Sequence, residues 1–147
     1  MADNWRADAE RLRDARPGHV LFLCVANSAR SQLAEGIGRS LAPEGVRVSS
    51  AGSEPSSVRP QAIAALAEIG IDITSHESTA IESVERPVDA VITLCAEEVC
   101  PVWLGSALRV HWGLPDPAAV EGSPAEQLAA FRAVRDELRH RLAVVFS

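Results

Sequence analysis

Apolar and polar residues change their spacing in blocks along the chain, and each change marks an element. Trp5, Ala9, Leu12 and Ala15 recur at helical spacing among alternating charges, which predicts a short helix within an N-terminal extension, residues 1–18. His19–Val25 (HVLFLCV) is a continuous apolar run of strand formers, the pattern of a strand buried on both faces. After Asn27-Ser28, the residues Leu33, Ile37 and Leu41 repeat every four positions and predict a helix over Arg30–Leu41. Val46–Ser50 alternates like a strand, Pro60–Ile69 has proline in its first turn and stops at Gly70 as helices do, and Ile71–Thr74 reads as a short strand. Val88–Leu94 and Leu108–Trp112 are further strands. From Pro124 to Val145, the residues Leu128, Phe131, Val134, Leu138, Leu142 and Val145 lie three or four apart, giving a core-covering helix of about six turns. Arg132, Arg135 and Arg139 then fall on a solvated face beside Asp136 and Glu137.

Strands alternating with helices imply βαβ units, hence an α/β fold with a doubly wound, four-stranded parallel sheet flanked by helices, in one domain over residues 19–147. Sheets of this kind bind ligands at the carboxyl ends of their strands. Cys24 and Cys95 both stand at such ends, so the fold class alone brings them to one edge.

Composition narrows the function. The chain has 147 residues and a net charge of −6, and all 14 of its cationic side chains are arginine. Without lysine there is no Walker-type phosphate loop and no Schiff base. The negative charge argues against bulk nucleic-acid binding. Met1 to Pro17 lacks the apolar core of a signal peptide and Val20–Ala26 is too short to span a bilayer, so a cytoplasmic, membrane-free protein is expected. Three cysteines make an odd count, which argues against a static disulfide framework.

The strongest chemical signal is Cys24-Val25-Ala26-Asn27-Ser28-Ala29-Arg30-Ser31, a cysteine and an arginine five residues apart between a strand and a helix. Such a turn can curl so that the amides of Val25 through Ser31 face a tetrahedral oxyanion, helped by the positive end of the helix that follows. Arg30 offers a planar fork to two anion oxygens. The same field favours the thiolate of Cys24, to which Ser31 can donate. Asp116, held between Pro115 and Pro117, is placed to act as a general acid toward a leaving oxygen. Cys95 and Cys100 add a further possibility, because hydrolysis through a thiolate uses one cysteine, whereas reducing a bound oxyanion needs two electrons. Two thiols becoming one disulfide supply them, and a third cysteine can carry the oxidation outward. A rival reading makes Cys95, Cys100 and His111 metal ligands, although their spacing matches no usual zinc pattern. None of His19, His76, His111 and His140 is assigned a catalytic role.

Together these residues resemble the thioredoxin-coupled arsenate reductases built on the low-molecular-weight protein tyrosine phosphatase fold. The resemblance runs through Leu21–Gly36 (LFLCVANSARSQLAEG), Val48–Gly52 (VSSAG), Ile71–Ser78 (IDITSHES), Val91–Pro101 (VITLCAEEVCP), His111–Ala118 (HWGLPDPA) and Phe131–Leu138 (FRAVRDEL). It implies arsenate as substrate, Cys24 as the nucleophile, a Cys24–Cys95 and then a Cys95–Cys100 disulfide, Asp116 as acid and thioredoxin as electron donor. It implies no tightly bound cofactor and, with the rest of the sequence, a monomer. Some members hold potassium beside the loop; Asn27, Glu35 and Ser50 match that site, but Thr79 stands where an acidic ligand is expected, which leaves potassium open. The Cys95–Cys100 interval is two residues shorter than in the best-known members, and Ala29 replaces a cysteine that many relatives carry. Two alternatives stay open. A tyrosine phosphatase is disfavoured because Ala118-Ala119 follows Asp116-Pro117 and the chain has no tyrosine to line an aromatic slot. A non-enzymatic sensor of oxyanions or redox state would need no ordered set of three cysteines.

Overall fold

The computed structural model describes residues 4–96 and 100–147. Its elements are α1 (Trp5–Ala15), β1 (His19–Cys24), α2 (Arg30–Leu41), β2 (Arg47–Gly52), α3 (Pro60–Ala67), β3 (Ala90–Thr93), β4 (Leu108–His111) and α4 (Pro124–Val145), with 3-10 turns at Ile81–Ser83 and Pro117–Ala119. The four strands form one sheet in the order β2-β1-β3-β4. All its pairings are parallel, with Cys24 opposite Gly52 and Leu23 opposite Thr93. The α/β class, the parallel sheet and the flanking helices therefore stand as read from the sequence.

Strand order fixes where a ligand can go. The chain leaves β1 toward β2 on one side and later returns to β3 on the other, so the connections diverge at the carboxyl ends of β1 and β3. That divergence opens a crevice, the usual ligand site of open parallel sheets. Cys24 ends β1, and Cys95 lies two residues beyond β3.

Alternation along β1 sorts the core into two layers. Val20 and Phe22 face a large cluster built with Leu33 and Ile37 of α2, Leu66 of α3, Leu12 of α1 and Phe131, Val134 and Leu138 of α4. Leu21 and Leu23 face a smaller one with Ala51, Val88, Val91 and Trp103. The buried apolar residues of all four helices belong to the first layer, while the second face is covered by Ile81, Val84, Trp103 and Ala107 from a 3-10 turn and irregular segments. The expected helical cover thus concentrates on one face. His19, buried at the start of β1, ties this second cover down through Pro87 O and Ser49 Oγ, at 2.9 and 2.8 Å.

Ile71–Thr74 is not a strand. Gly70 takes a positive φ of 78°, and the N–H of Ile71 turns back to Leu66 O, closing the end of α3. The amide and hydroxyl of Thr74 both donate to Asp72 Oδ1, a local turn that competes with sheet pairing. Ile73 still enters the core, so its apolar character reports burial rather than strand.

α4 begins at a reciprocal capping box between Ser123 and Glu126. Its arginines are not a simple solvated face: Arg135 is buried and donates to Ala65 O of α3 and to Glu68 at the end of that helix, and Arg132 forks onto the same carboxylate. Arg135 also pairs with Asp136, as the sequence suggests. Hydrogen bonds from Arg132, then from Arg135, pull the Glu68 pKa from its ordinary 4.5 down to about 2. A depressed carboxylate stabilises the fold above its unfolded value and loses that contribution as pH falls toward the folded one. The melting-temperature gap between wild type and Glu68→Gln should accordingly be widest near neutrality and shrink as pH drops from about 4.5 toward about 2; a gap that is flat across this window would show that Glu68 does not link α3 to α4 electrostatically.

Candidate active site

Between β1 and α2 the chain makes a turn whose carbonyls are all claimed from outside. Val25 O accepts from Glu54 N–H at 2.9 Å, Ala26 O from Ser56 N–H at 3.1 Å and Ser28 O from Arg59 N–H at 2.9 Å. Asn27 O accepts from Gln32 Nε2 and from the Ser78 hydroxyl. In a trans peptide the N–H points opposite to the C=O, so fixing these carbonyls outward turns the N–H groups that follow them toward the inside of the turn. α2 starts directly afterward with no side-chain cap, leaving its positive end to the same space. Gly52 makes the arrangement possible, since a Cβ there would overlap Val25 O and come within 2.9 Å of Asn27 N.

Asn27 organises the turn from behind. Its backbone is left-handed, with φ of 49°, a conformation asparagine tolerates better than most residues. Thr79 N–H and Gln32 Nε2 both donate to its side-chain oxygen, at 2.8 and 3.1 Å, which orients the carboxamide. Its two amide hydrogens then go to Ser31 Oγ at 2.7 Å and Ser50 Oγ at 2.9 Å. Each serine has thereby received a hydrogen bond and has its own O–H left to give. Ser50 donates its hydrogen to Glu35 Oε1 at 2.5 Å, and Ser31, whose Oγ lies 2.8 Å from Cys24 Sγ, has its hydrogen free to point at the sulfur. Ser31 is thus set as a donor toward the sulfur, the direction that favours a thiolate.

Arg30, almost fully buried, is fixed by donating NH1 to Leu94 O at 3.3 Å and to Leu114 O at 3.0 Å. Its NH2 lies 4.0 Å from Asp116 Oδ2. Asp116 is anchored by accepting from Ala118 N–H at 3.0 Å, as the cap of the Pro117–Ala119 turn. Cys24, Val25, Ala26, Ser28, Ala29, Arg30 and Asp116 line a cavity of about 200 Å³. That is below the roughly 300 Å³ at which drug-sized ligand sites begin, and suits a small oxyanion. Of the residues read from the sequence as the anion loop, Asn27 and Ser31 do not line the cavity; they support it from beneath.

Cys95 and Cys100 form a disulfide, with Cα atoms 5.5 Å apart, and Cys24 is free and buried. Cys95 is 1% exposed, whereas Cys100 is partly open to solvent. Leu94 N–H donates to Leu23 O, extending the β1–β3 ladder to the residue before Cys95, and Arg30 reaches the same Leu94. The disulfide thus begins beside the anion turn. The metal reading for Cys95, Cys100 and His111 does not hold, because the two sulfurs are bonded to each other rather than available as thiolates. His111 instead bonds Thr93 Oγ1 through Nδ1 at 2.6 Å.

Asn27, Glu35 and Ser50 do come together, but as a closed set. The second Glu35 oxygen pairs with Arg39 NH2 at 2.9 Å and faces His76 Nε2 at 3.7 Å, while Thr79 contributes only its backbone N–H to Asn27. Every oxygen that would ligate a cation here already has a donor, and Arg39 supplies the positive charge, so these residues do not fit a potassium ion. Gln32 and His76 were not singled out in the sequence, yet both belong to this network: His76 Nδ1 donates to Gln32 Oε1 at 3.0 Å. Burial lowers the His76 pKa from its usual value, against the pull of Glu35.

The matching segments extend over nearly the whole chain. The family model of the low-molecular-weight phosphotyrosine protein phosphatases matches residues 19–146. The chain belongs to that family. Among its relatives, an arsenate reductase of Halalkalibacterium halodurans is 45% identical over 84% of this chain and 91% of its own length. A solved arsenate reductase in a phosphate-binding state is 37% identical, with a TM-score of 0.69 over 84% of this chain and 92% of that one. The thioredoxin-dependent arsenate reductase of Corynebacterium glutamicum is 27% identical, with a TM-score of 0.59 over 93% of this chain and 69% of that one. α1 lies outside the phosphatase-family match and packs against α4, with Trp5 edge-on to His140 and Arg141 over the Trp5 ring. Ser31→Ala removes the hydroxyl 2.8 Å from Cys24 Sγ and should slow alkylation of Cys24 by iodoacetamide several-fold; an unchanged rate would mean that Ser31 does not act on the sulfur.

Proposed function

We propose that this protein is an arsenate reductase working through a relay of Cys24, Cys95 and Cys100, with thioredoxin as electron donor. One juxtaposition carries the reading: a buried thiol in an anion-binding turn next to a disulfide that begins at the end of the neighbouring strand. Residues 19–147 are the catalytic domain in this reading, and α1 is an extension to it. The names of the relatives and the small cavity agree with it.

The chemistry balances over two electrons. The Cys24 thiolate attacks arsenic, forming an S–As bond while one As–O bond breaks; Asp116 protonates the departing oxygen, which leaves as water. Arg30 and the turn amides hold the remaining oxygens. The Cys95 thiolate then attacks Cys24 Sγ, the S–As pair passes to arsenic, and arsenite leaves a Cys24–Cys95 disulfide behind. Cys100 attacks Cys95 Sγ, freeing Cys24 and producing the Cys95–Cys100 pairing described above. A thioredoxin dithiol reduces that pair and is itself oxidised to a disulfide. Cys100 is the sulfur an external thiolate can approach, because Cys95 is enclosed.

NADPH oxidation coupled through thioredoxin reductase and thioredoxin should depend on arsenate and be abolished in Cys24→Ser, Cys95→Ser and Cys100→Ser. Full steady-state turnover by Cys100→Ser would break the relay, and rapid aryl-phosphate hydrolysis without arsenate-dependent turnover would make the protein a phosphatase. Since Arg39 already neutralises Glu35, replacing potassium by sodium or choline at constant ionic strength should leave kcat/KM for arsenate unchanged. A several-fold potassium stimulation would show that the Glu35 site opens to a cation.

A further inference from the structure

From Cys100 to Leu108 the chain carries no charged residue, although 23% of the whole sequence is charged. Within this stretch Val102 is 71% exposed and Leu104 is 76% exposed, the highest values among the large hydrophobic residues left at the surface. These side chains are displayed by a backbone that is held firmly. Trp103, between them, is 3% exposed and inserts into the second core layer against Leu21, Leu23 and Val91. Arg86 stacks over the Trp103 ring at 4.2 Å and donates to Leu104 O at 2.8 Å. Arg109 donates to Trp103 O and, at 2.7 Å, to Gly105 O. With the central tryptophan turned inward and the carbonyls of Trp103, Leu104 and Gly105 bonded, Val102 and Leu104 are presented outward at little further entropic cost.

We infer that Val102 and Leu104 form the apolar centre of the surface on which thioredoxin docks to reduce Cys95–Cys100. The inference rests on the proposed function and adds to it where the partner sits. Reduction brings a partner thiolate into bonding distance of Cys100 Sγ; the new S–S bond forms there, the Cys95–Cys100 bond breaks, and Cys95 leaves as a thiolate and takes up a proton. The second partner thiol then displaces Cys100, so both electrons come from the partner dithiol. A protein docked this way covers about 800 Å² on its side of a standard interface, a disc of about 16 Å radius. Leu104 is four residues from Cys100, and an extended chain spans at most about 3.6 Å per residue, so the Cα atoms of both aliphatic residues lie within about 14 Å of the Cys100 Cα and inside a disc centred there. The absence of charge along the stretch is what the desolvated centre of an interface requires.

The test is steady-state reduction of the full-length oxidised protein by thioredoxin, thioredoxin reductase and NADPH across a range of thioredoxin concentrations, each rate divided by the rate with dithiothreitol. Val102→Asp combined with Leu104→Asp should raise KM for thioredoxin at least about tenfold and lower the thioredoxin-to-dithiothreitol ratio accordingly. The gentler pair Val102→Ser and Leu104→Ser should shift both in the same direction by about threefold, which keeps the test valid if the aspartates perturb folding. Leu41→Asp, an exposed aliphatic position at the end of α2, should leave the ratio at the wild-type value. Wild-type KM in both double variants would overturn the docking surface while leaving thioredoxin as the reductant. Failure of thioredoxin to reduce even the wild-type protein, when dithiothreitol does so, would overturn the thioredoxin step itself and the surface with it.

Discussion

A turn that grips an oxyanion with its own amides has to satisfy its carbonyls elsewhere, because a buried unpaired carbonyl costs roughly 1–3 kcal/mol. That requirement reaches far from the turn in this protein. Glu54, Ser56 and Arg59 bring backbone donors from the segment after β2, and Gln32 and Ser78 bring side-chain donors from α2 and from beyond α3. Gly52 has no side chain, which lets β2 lie directly against the Val25 carbonyl and the Asn27 amide of the turn. The Asn27 carboxamide completes the arrangement by giving one hydrogen to the serine that serves the thiol and the other to the serine that serves Glu35. One planar group therefore sets the hydrogen-bond direction of two hydroxyls, and the nucleophile is prepared by residues that never touch the ligand.

Burial arranges the three sulfurs in order. Cys24 is enclosed beneath the anion turn, Cys95 is enclosed beside it, and Cys100 opens to solvent. In the proposed relay, oxidising equivalents travel along this gradient by thiolate exchange while the reacting centre stays shielded from water. The segment that follows Cys100 is anchored through Trp103 into the layer beneath β1 and β3, so the outer end of the gradient is attached to the same strands that carry its inner end.

Much of this was legible in the residues. The apolar run before Cys24 and the fourfold spacing after Arg30 placed the anion turn between a strand and a helix, and the odd cysteine count pointed to an exchangeable disulfide. What the pattern obscured has physical causes. Ile71–Thr74 looked like a strand because Ile73 is buried, but Asp72 captures the Thr74 amide before it can pair. Arg135 looked solvated because Arg132, Asp136 and Arg139 stand near it along α4, and only the position of α3 shows that its guanidinium reaches the buried carbonyl of Ala65 and the Glu68 carboxylate. Gln32 and His76 carry no motif of their own; their roles come from a fold that brings residues 32 and 76 together.

The alanine before Arg30 has a cost that appears only in the oxidised form. With Cys95 and Cys100 bonded to each other, Cys24 is the single thiol left in the chain. A sulfenic acid formed on it by peroxide would find no second thiol in the protein to condense with, and further oxidation to the sulfinic acid is irreversible without a dedicated repair enzyme. Its defence at that stage is depth, at 3% exposure. In the proposed relay, the speed at which the outer disulfide is cleared sets how long Cys24 stands without a thiol to protect it.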